Sequence, residues 1–597
     1  MKKIIILLLI AVPMSIFGQS YDNADAVYKT MKHEFILNDD GSTEYIYSHE
    51  QKLLTPYAVN RLYGESFIIY NPDYQELEII RSVTTMADGR KVQSPLNAYN
   101  EVLPRFAINS ANYMGLREMV VTHTGLEIGA VIDFEYKLKS NADFMPGLMG
   151  KVLAGERSPI ENLEIVISIP GNSEFAYKWT KAPAEPEITS QNGRKTYKWN
   201  LKKIPLIDVE TNQPGMPEIV PVLMFSTANE VRSYLTKNLD EKLKLGKEAK
   251  WLVDEIISGE LDDAAKAIKL RDHLLEATAL MNCDLSYLGY KYLPANETFE
   301  QNSGSELDRA VLLSAMLDHA GIENDILLFA DFYSEWGLSK FLTQFQIPMV
   351  RFQYLGSHFV LDPNAVQNFM LPEKILEKPY FVLTATESGV YSAPQGAAIQ
   401  TMHINIGKNR DLSVNYKLLA SERYAPGITS ADKMNKAKAY LNQSGYIIEK
   451  ENPTIASGEA DLNISLNLSM KKLPKSGEYT ELSLPAVPNS PYTRDYVLNR
   501  AERTTPVIAH AADESLEFII DLPQDSDLVF VPKNVKIENK AGSFHFEIER
   551  NEEKVIIRKS LLIEPDDNGL IYPENYKDFL ELISHWQSEK YNNIYIK

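Results

Sequence analysis

Between about residues 20 and 225 the chain runs in short segments of alternating apolar and polar residues, broken by turn formers. Residues 44–48 follow Asp39-Asp40-Gly41, residues 76–83 precede Asp88-Gly89, and residues 131–138 follow Gly129. Successive side chains of a strand point to opposite faces, so a period of two marks a half-buried sheet, and an Asp-Gly pair between two such runs marks a hairpin. The last strands of this region are predicted over 163–169 and 195–200. The Pro-rich stretch Gln213-Pro214-Gly215-Met216-Pro217, continuing to Pro221, then reads as a linker or a long surface connection.

The period changes near residue 235. Residues 239–257 and 263–279 carry apolar residues at helical spacing, and Asp262 stands where a helix cap belongs. In the second helix Ala267, Leu270, Leu274 and Ala277 share one face, and Lys269, Arg271, Asp272 and Glu276 form a solvated one. A third helix is predicted from just after Gly304 to His319, with Gly321 supplying the left-handed residue beyond its end. Strands follow over 325–329, 349–354 and 358–361, so this stretch reads as an α+β domain of about 150 residues. Beyond residue 400 the alternation returns over 403–406, 412–418, 460–468, 516–522, 544–548 and 554–561, interrupted by helices over 430–444 and 574–587.

Charge and cysteine content narrow the function classes. The 597 residues hold 61 Lys and Arg against 81 Asp and Glu, a net charge of −20, which disfavours nucleic acid and its need for clustered cations. One cysteine, Cys283, excludes an intramolecular disulfide and any metal site needing two thiolates, and the ten histidines form no close pair in the chain, so neither metal nor cofactor is expected. Lys2 and Lys3 precede the apolar run 4–12, Pro13 and then Ser15, Gly18, Gln19 and Ser20, the order of a signal peptide over residues 1–19. That run is too short for a bilayer core of about 30 Å. With no nearby cysteine for a lipid anchor and no second apolar span, the expected product is exported, soluble and periplasmic, without a transmembrane anchor.

The segment from Gly304-Ser305-Glu306-Leu307-Asp308-Arg309 to Leu317, followed by Ala320-Gly321-Ile322 and later by Leu361-Asp362-Pro363-Asn364, resembles the core of the transglutaminase-like superfamily. That resemblance implies a papain-like α+β fold. It also implies a cysteine at the start of the core helix, a histidine on the next strand, and an aspartate ending the strand after that. Here the cysteine position falls on Glu306, or on Ser305 with a slip of one, and Asp362 matches the family's orienting acid. No histidine lies between His319 and His358, and His358 is four strand residues, about 13 Å, from Asp362. Cys283 precedes the helix and is followed by Asp284, which raises a thiol's pKa, so it reads as an inert residue.

The flanks add to the resemblance. Residues 125–136 and Arg157-Ser158-Pro159-Ile160 look like the uncharacterised β domain that commonly precedes transglutaminase-like domains in exported bacterial proteins. Leu482-Ser483-Leu484-Pro485, Arg503-Thr504-Thr505-Pro506-Val507 and the closing helix look like the β domain that often follows.

The expected protein is multidomain: a signal peptide (1–19), a β-sandwich-like N-terminal domain (20–230), a transglutaminase-like domain (231–390) and a C-terminal β domain with a closing helix (391–597). With two of three catalytic functions absent, the expectation is no acyl-transfer enzyme. The chain would act as a binding or scaffolding module for an envelope protein, peptide or glycan, with Glu306, Asp362 and Ser305 as binding candidates. Two alternatives stand beside it. One is a hydrolase of envelope glycan or peptide using Glu306, with Asp308 or Asp362 as the second acid. The other is a subunit held in an envelope complex by its β domains. Glu306 also has a plain role as a first-turn carboxylate favoured by the helix dipole, with Ser305 and Asp308 as a capping box.

Overall fold

The computed structural model describes residues 24–113, 115–228, 231–260, 262–332, 340–365, 373–392, 396–425, 427, 430–451, 461–524, 526–551 and 554–597. The segment read as a signal peptide lies outside the described residues. Among the described residues no helix is long and apolar enough to cross a membrane.

The N-terminal hairpins form an eight-stranded sheet in the order Glu187–Gln191, Arg194–Ile204, Ile160–Pro170, Ala26–Leu37, Thr43–Leu53, Val131–Ser140, Gln75–Thr85 and Lys91–Gln93. Its neighbours are antiparallel except Ala26–Leu37 with Ile160–Pro170, a pair that sequence-adjacent hairpins could not reveal. A three-stranded sheet of Ala176–Trp179, Val222–Ser226 and Met149–Leu153 shares a core with it, in which Ile165, Ile167, Trp199 and Phe225 are buried. The Pro-rich stretch is therefore the second of its two readings, a long connection, running from Arg194–Ile204 to Val222–Ser226. Met216–Ile219 is a short helix with proline in its first turn, Val220 is buried, and every residue of Val222–Ser226 is buried as the central strand.

In the middle of the chain the predicted helix over 239–257 is two, Leu239–Lys242 and Lys247–Ile256, with Gly246 at the second N-cap. Asp262 caps Asp263–Ala277 by accepting from the Ala265 N–H at 2.8 Å. A further helix, Ala295–Gln301, is too short to show a period. The helix Glu306–His319 is buried at every position from 307 to 317, because helices cover one side and the strands Asn324–Ala330 and Phe345–Tyr354 the other. The sheet is antiparallel, in the order Ser357–Leu361, Phe345–Tyr354, Asn324–Ala330, Pro379–Val382 and Ser388–Val390.

The last part is again an eight-stranded sheet with one parallel pair, Ala398–Ile406 with Ala512–Asp521. Leu412–Ser421 alternates buried and exposed residues along nearly its whole length, so one face joins a large core and the other meets water. The helix Tyr576–Gln587 packs across Gly542–Arg550 and buries Phe579, Leu582, Ile583 and Trp586.

The first and last parts are clasped directly. Glu210 has no accessible side-chain surface, accepts from the Thr505 N–H at 2.9 Å and from its hydroxyl, and pairs with Arg500 and Arg503 at 3.3 and 3.5 Å. Arg503-Thr504-Thr505, a motif of the flanking resemblance, is thus a docking element.

Candidate functional site

The site is assembled at the start of the helix Glu306–His319. Ser303–Ser305 pairs in parallel with Ala279–Met281, which fixes the direction from which the chain enters the helix. A side chain at Gly304 would come within 2.8 Å of Asp308 Cβ and 3.0 Å of Thr298, so glycine is required by packing. The Ser305 hydroxyl accepts from the Asp308 N–H at 3.2 Å, and Asp308 Oδ2 accepts from the Ser305 N–H at 2.7 Å. This is the capping box legible in the sequence. Both residues are engaged in this cap. Ser305 is fully buried, and Asp308, also fully buried, further accepts from the Leu293 N–H at 2.7 Å and the Tyr113 hydroxyl at 2.5 Å.

Glu306 differs from the solvated first-turn carboxylate. It is half-buried, and burial pushes its carboxyl pKa up; Lys374 opposes this, Asp362 adds to it and Arg309 opposes it. Asp362 follows the last residue of Ser357–Leu361, accepts from the Asn364 N–H at 2.8 Å in a tight turn, and meets Lys374 Nζ at 2.8 Å. Asn364 Nδ2 reaches the Glu306 carbonyl at 3.4 Å, joining the turn to the helix start. Arg309, one turn along from Glu306, is 3% exposed; burial pushes its guanidinium down to about 10 against the pull of Asp362 and Glu306, and its Nε and Nη2 make no hydrogen bond. Two carboxylates and two cations therefore converge. Such a cluster can hold polar or charged groups by paired contacts, while Asp308 is buried and engaged by Ser305, Leu293 and Tyr113.

The strand register places Val350 opposite Leu361, so the position facing Asp362 is Met349, which is fully buried. His358 is exposed. Cys283 lies nearer the site than its place in the chain suggests, packed beside Met281, Leu288 and Tyr113. Burial, then Asp284, Asp308 and Glu306, push its thiol up to about 12, the opposite of nucleophile activation. Among the described residues no group of three or more His, Cys, Asp or Glu is placed to hold a metal ion.

Sequence reasoning singled out Glu306, Asp362 and Asp308 but passed over Arg309, Asn364, Lys374 and Tyr113. Arg309 was recoverable, since a residue at i+3 shares a helix face with Glu306. Lys374 and Tyr113 carry no local signal.

Fold and site together define a multidomain, strongly β-rich protein with a buried core helix whose N-terminus bears a carboxylate–cation cluster. Residues 39–208 match the model of a domain of unknown function with a solved structure, DUF3857, and residues 479–596 match another of the same description, DUF3858. The matched segments contain the flanking motifs, residues 125–136 and 157–160 in the first and 482–485, 503–507 and the closing helix in the second. The crystal structure of a Parabacteroides distasonis protein named a “putative protease” is similar over 96% of this chain and 99% of its own, with 23% identity and a TM-score of 0.69, a likeness of fold. An M1 zinc metallopeptidase from Deinococcus radiodurans overlaps 34% of this chain and 42% of its own at 8% identity and a TM-score of 0.20, too slight to bear on either fold or chemistry. No curated protein matches the sequence.

Proposed function

We propose that this is an exported envelope protein in which a transglutaminase-like, papain-like unit (231–390) has lost its catalytic constellation and serves, between two β domains (20–230 and 391–597), as a binding or scaffolding module. The observation that carries the reading is the 2.8 Å ion pair between Asp362 and Lys374. The acid that would orient an imidazole is engaged by a lysine, and the position across from it is the apolar Met349. Glu306 stands where the resemblance puts the thiol, and the chain's one thiol is held protonated by burial and neighbouring carboxylates. An acyl-transfer mechanism needs an activated nucleophile and a base within hydrogen-bond reach of it. The occupant in this reading is a peptide or glycan of the envelope, bound through Glu306, Asp362, Arg309 and Lys374. A second reading, a carboxylate-dependent hydrolase, is favoured by one feature, the burial that raises Glu306 beside Asp362.

Two assays separate the readings. Purified protein should neither cross-link nor hydrolyse casein peptides or peptidoglycan fragments, its thiol should resist iodoacetamide at pH 7, and Cys283→Ser should change nothing. Co-sedimentation with purified cell-wall sacculi should be retained in Cys283→Ser and weakened in Lys374→Ala. Turnover abolished by Glu306→Gln with the fold intact would replace the binding reading with the hydrolase, and turnover abolished by Cys283→Ser would overturn both.

A further inference from the structure

A cavity of about 470 Å³ lies in the C-terminal part, between the inner face of the eight-stranded sheet, the helix Tyr576–Gln587 and the segment 481–494. It falls within the roughly 300–1,000 Å³ of small-molecule sites. Leu482, Leu484, Leu516 and Phe518 give it apolar walls, and the exposed Ser483 and Arg494 at its rim connect it with solvent. One buried charged side chain enters this lining, Lys559, 4% exposed. Its Nζ donates to the Trp586 carbonyl at 2.8 Å and to Asn592 Oδ1 at 2.5 Å, and lies 4.0 Å from the centre of the Trp586 ring.

These contacts use two of the three N–H groups of an ammonium, and both acceptors are neutral. Among the described residues no carboxylate forms an ion pair with Lys559. The register sets Lys559 opposite Leu516, so Glu514 is two residues along the neighbouring strand, where its Oε1 accepts from Ser490 Oγ at 2.7 Å. Buried charges are normally paired, because an isolated one forfeits its hydration without return. A cation kept at the wall of an apolar cavity, with a donor unspent and its electrostatic partner, the buried Glu514 on the neighbouring strand, too far to form an ion pair, is an arrangement an anionic head group completes.

We propose that this cavity binds a small-molecule carboxylate with an apolar body, its head group paired with Lys559 Nζ and its body against Leu482, Leu484, Leu516 and Phe518. A single buried cation with apolar surroundings suits a monoanion. The site lies in a different part of the chain from Glu306 and does not depend on the function proposed above.

The other ionisable groups around the cavity leave this role to Lys559. Asn593 donates to Glu481 at 3.0 Å, Arg494 pairs with Glu589 at 3.5 Å, and burial raises the hydroxyls of Tyr440, Tyr446 and Tyr492. Burial pushes the Lys559 amine down to about 7 against the pull of Glu514, and pushes the Glu514 carboxyl up to about 7. Burial thus favours the uncharged amine, and a bound anion, which favours the charged form, pulls the other way.

The test is calorimetric titration of the full chain at pH 8 with dodecanoate and dodecan-1-ol, in two buffers of different protonation enthalpy. Saturable binding of dodecanoate is expected, about tenfold or more tighter than the alcohol, with any proton uptake on binding carried by Lys559. Lys559→Met should bring the acid to the alcohol's affinity and abolish the uptake, and Glu514→Gln should keep both. Absence of saturable dodecanoate binding, equal affinity for acid and alcohol, or uptake surviving in Lys559→Met overturns the proposal. Should Lys559→Met fail to fold, the wild-type measurement decides: equal affinity for the acid and the alcohol refutes the pairing.

Discussion

Replacing Arg503 by alanine tests whether the two flanking parts are held together by one buried polar cluster. Arg503 is 7% exposed and donates to the carbonyls of Thr505, Thr211 and Pro506 at 3.2, 2.7 and 3.3 Å. It also faces Glu210 at 3.5 Å and lies 5.4 Å from the Tyr576 ring centre. Removing one member of a buried pair costs about 3–5 kcal/mol because the other is left without compensation. Arg500 and the Thr505 donors still serve Glu210, so the expected loss is about 3 kcal/mol, at the lower end of that range. Glu210→Gln keeps an acceptor for Thr505 and spares the carbonyl contacts, so it should cost about 1–2 kcal/mol. In urea, with slopes of about 1–3 kcal/mol/M, Arg503→Ala should move the transition that separates the parts down by about 1–3 M. Far-UV circular dichroism reads that transition, and limited proteolysis near residues 208–212 should quicken with it. A multidomain chain has no single unfolding free energy, so the comparison is between midpoints of the same transition. Acid should act in the same direction. Burial pushes the Glu210 carboxyl up, but the Thr505 hydroxyl and N–H, the Thr504 N–H and Arg503 outweigh it and hold the pKa below the usual carboxylate range. Its contribution is present above the unfolded pKa of about 4.3 and lost as pH falls through the folded value. An Arg503→Ala midpoint within about 0.3 M of wild type would refute the clasp.

Tyr113→Phe should lower the melting temperature of the central part by removing the donor at 2.5 Å from buried Asp308, a loss of about 1–3 kcal/mol that calorimetry can read. The N-terminal sheet should weaken in mild acid: burial pushes His49 down to about 3 and His123 to about 4. The unfolded chain takes up those protons near pH 6.5, so stability complete above that value is lost as pH falls toward 4. His123→Gln, replacing a ring held between Ser66 and Ser82 at 2.9 and 3.0 Å, should flatten the dependence of melting temperature on pH.

What the sequence determined by itself is what depends on neighbours within a few residues. Alternation places the strands, because a strand with one wet face must repeat every two residues, and Ala398–Ile406 and Leu412–Ser421 do so. The spacing of Ser305 and Asp308 gives the capping box, and Asp262 its helix, because cap and capped N–H are three residues apart. Glu306 and Asp362 were legible through a motif. The tertiary structure alone decided what chemistry those residues have. The lysine that neutralises Asp362, the tyrosine that occupies Asp308 and the burial that raises Glu306 come from segments with no period or spacing in common with them. The same holds for the central strand Val222–Ser226 that follows the Pro-rich stretch, and for Cys283, brought beside Asp308 by the parallel pairing of Met281 with Ser305. Local order follows from hydrogen bonds and side-chain direction along the backbone, whereas charge, pKa and access depend on the desolvation and partners that distant segments bring.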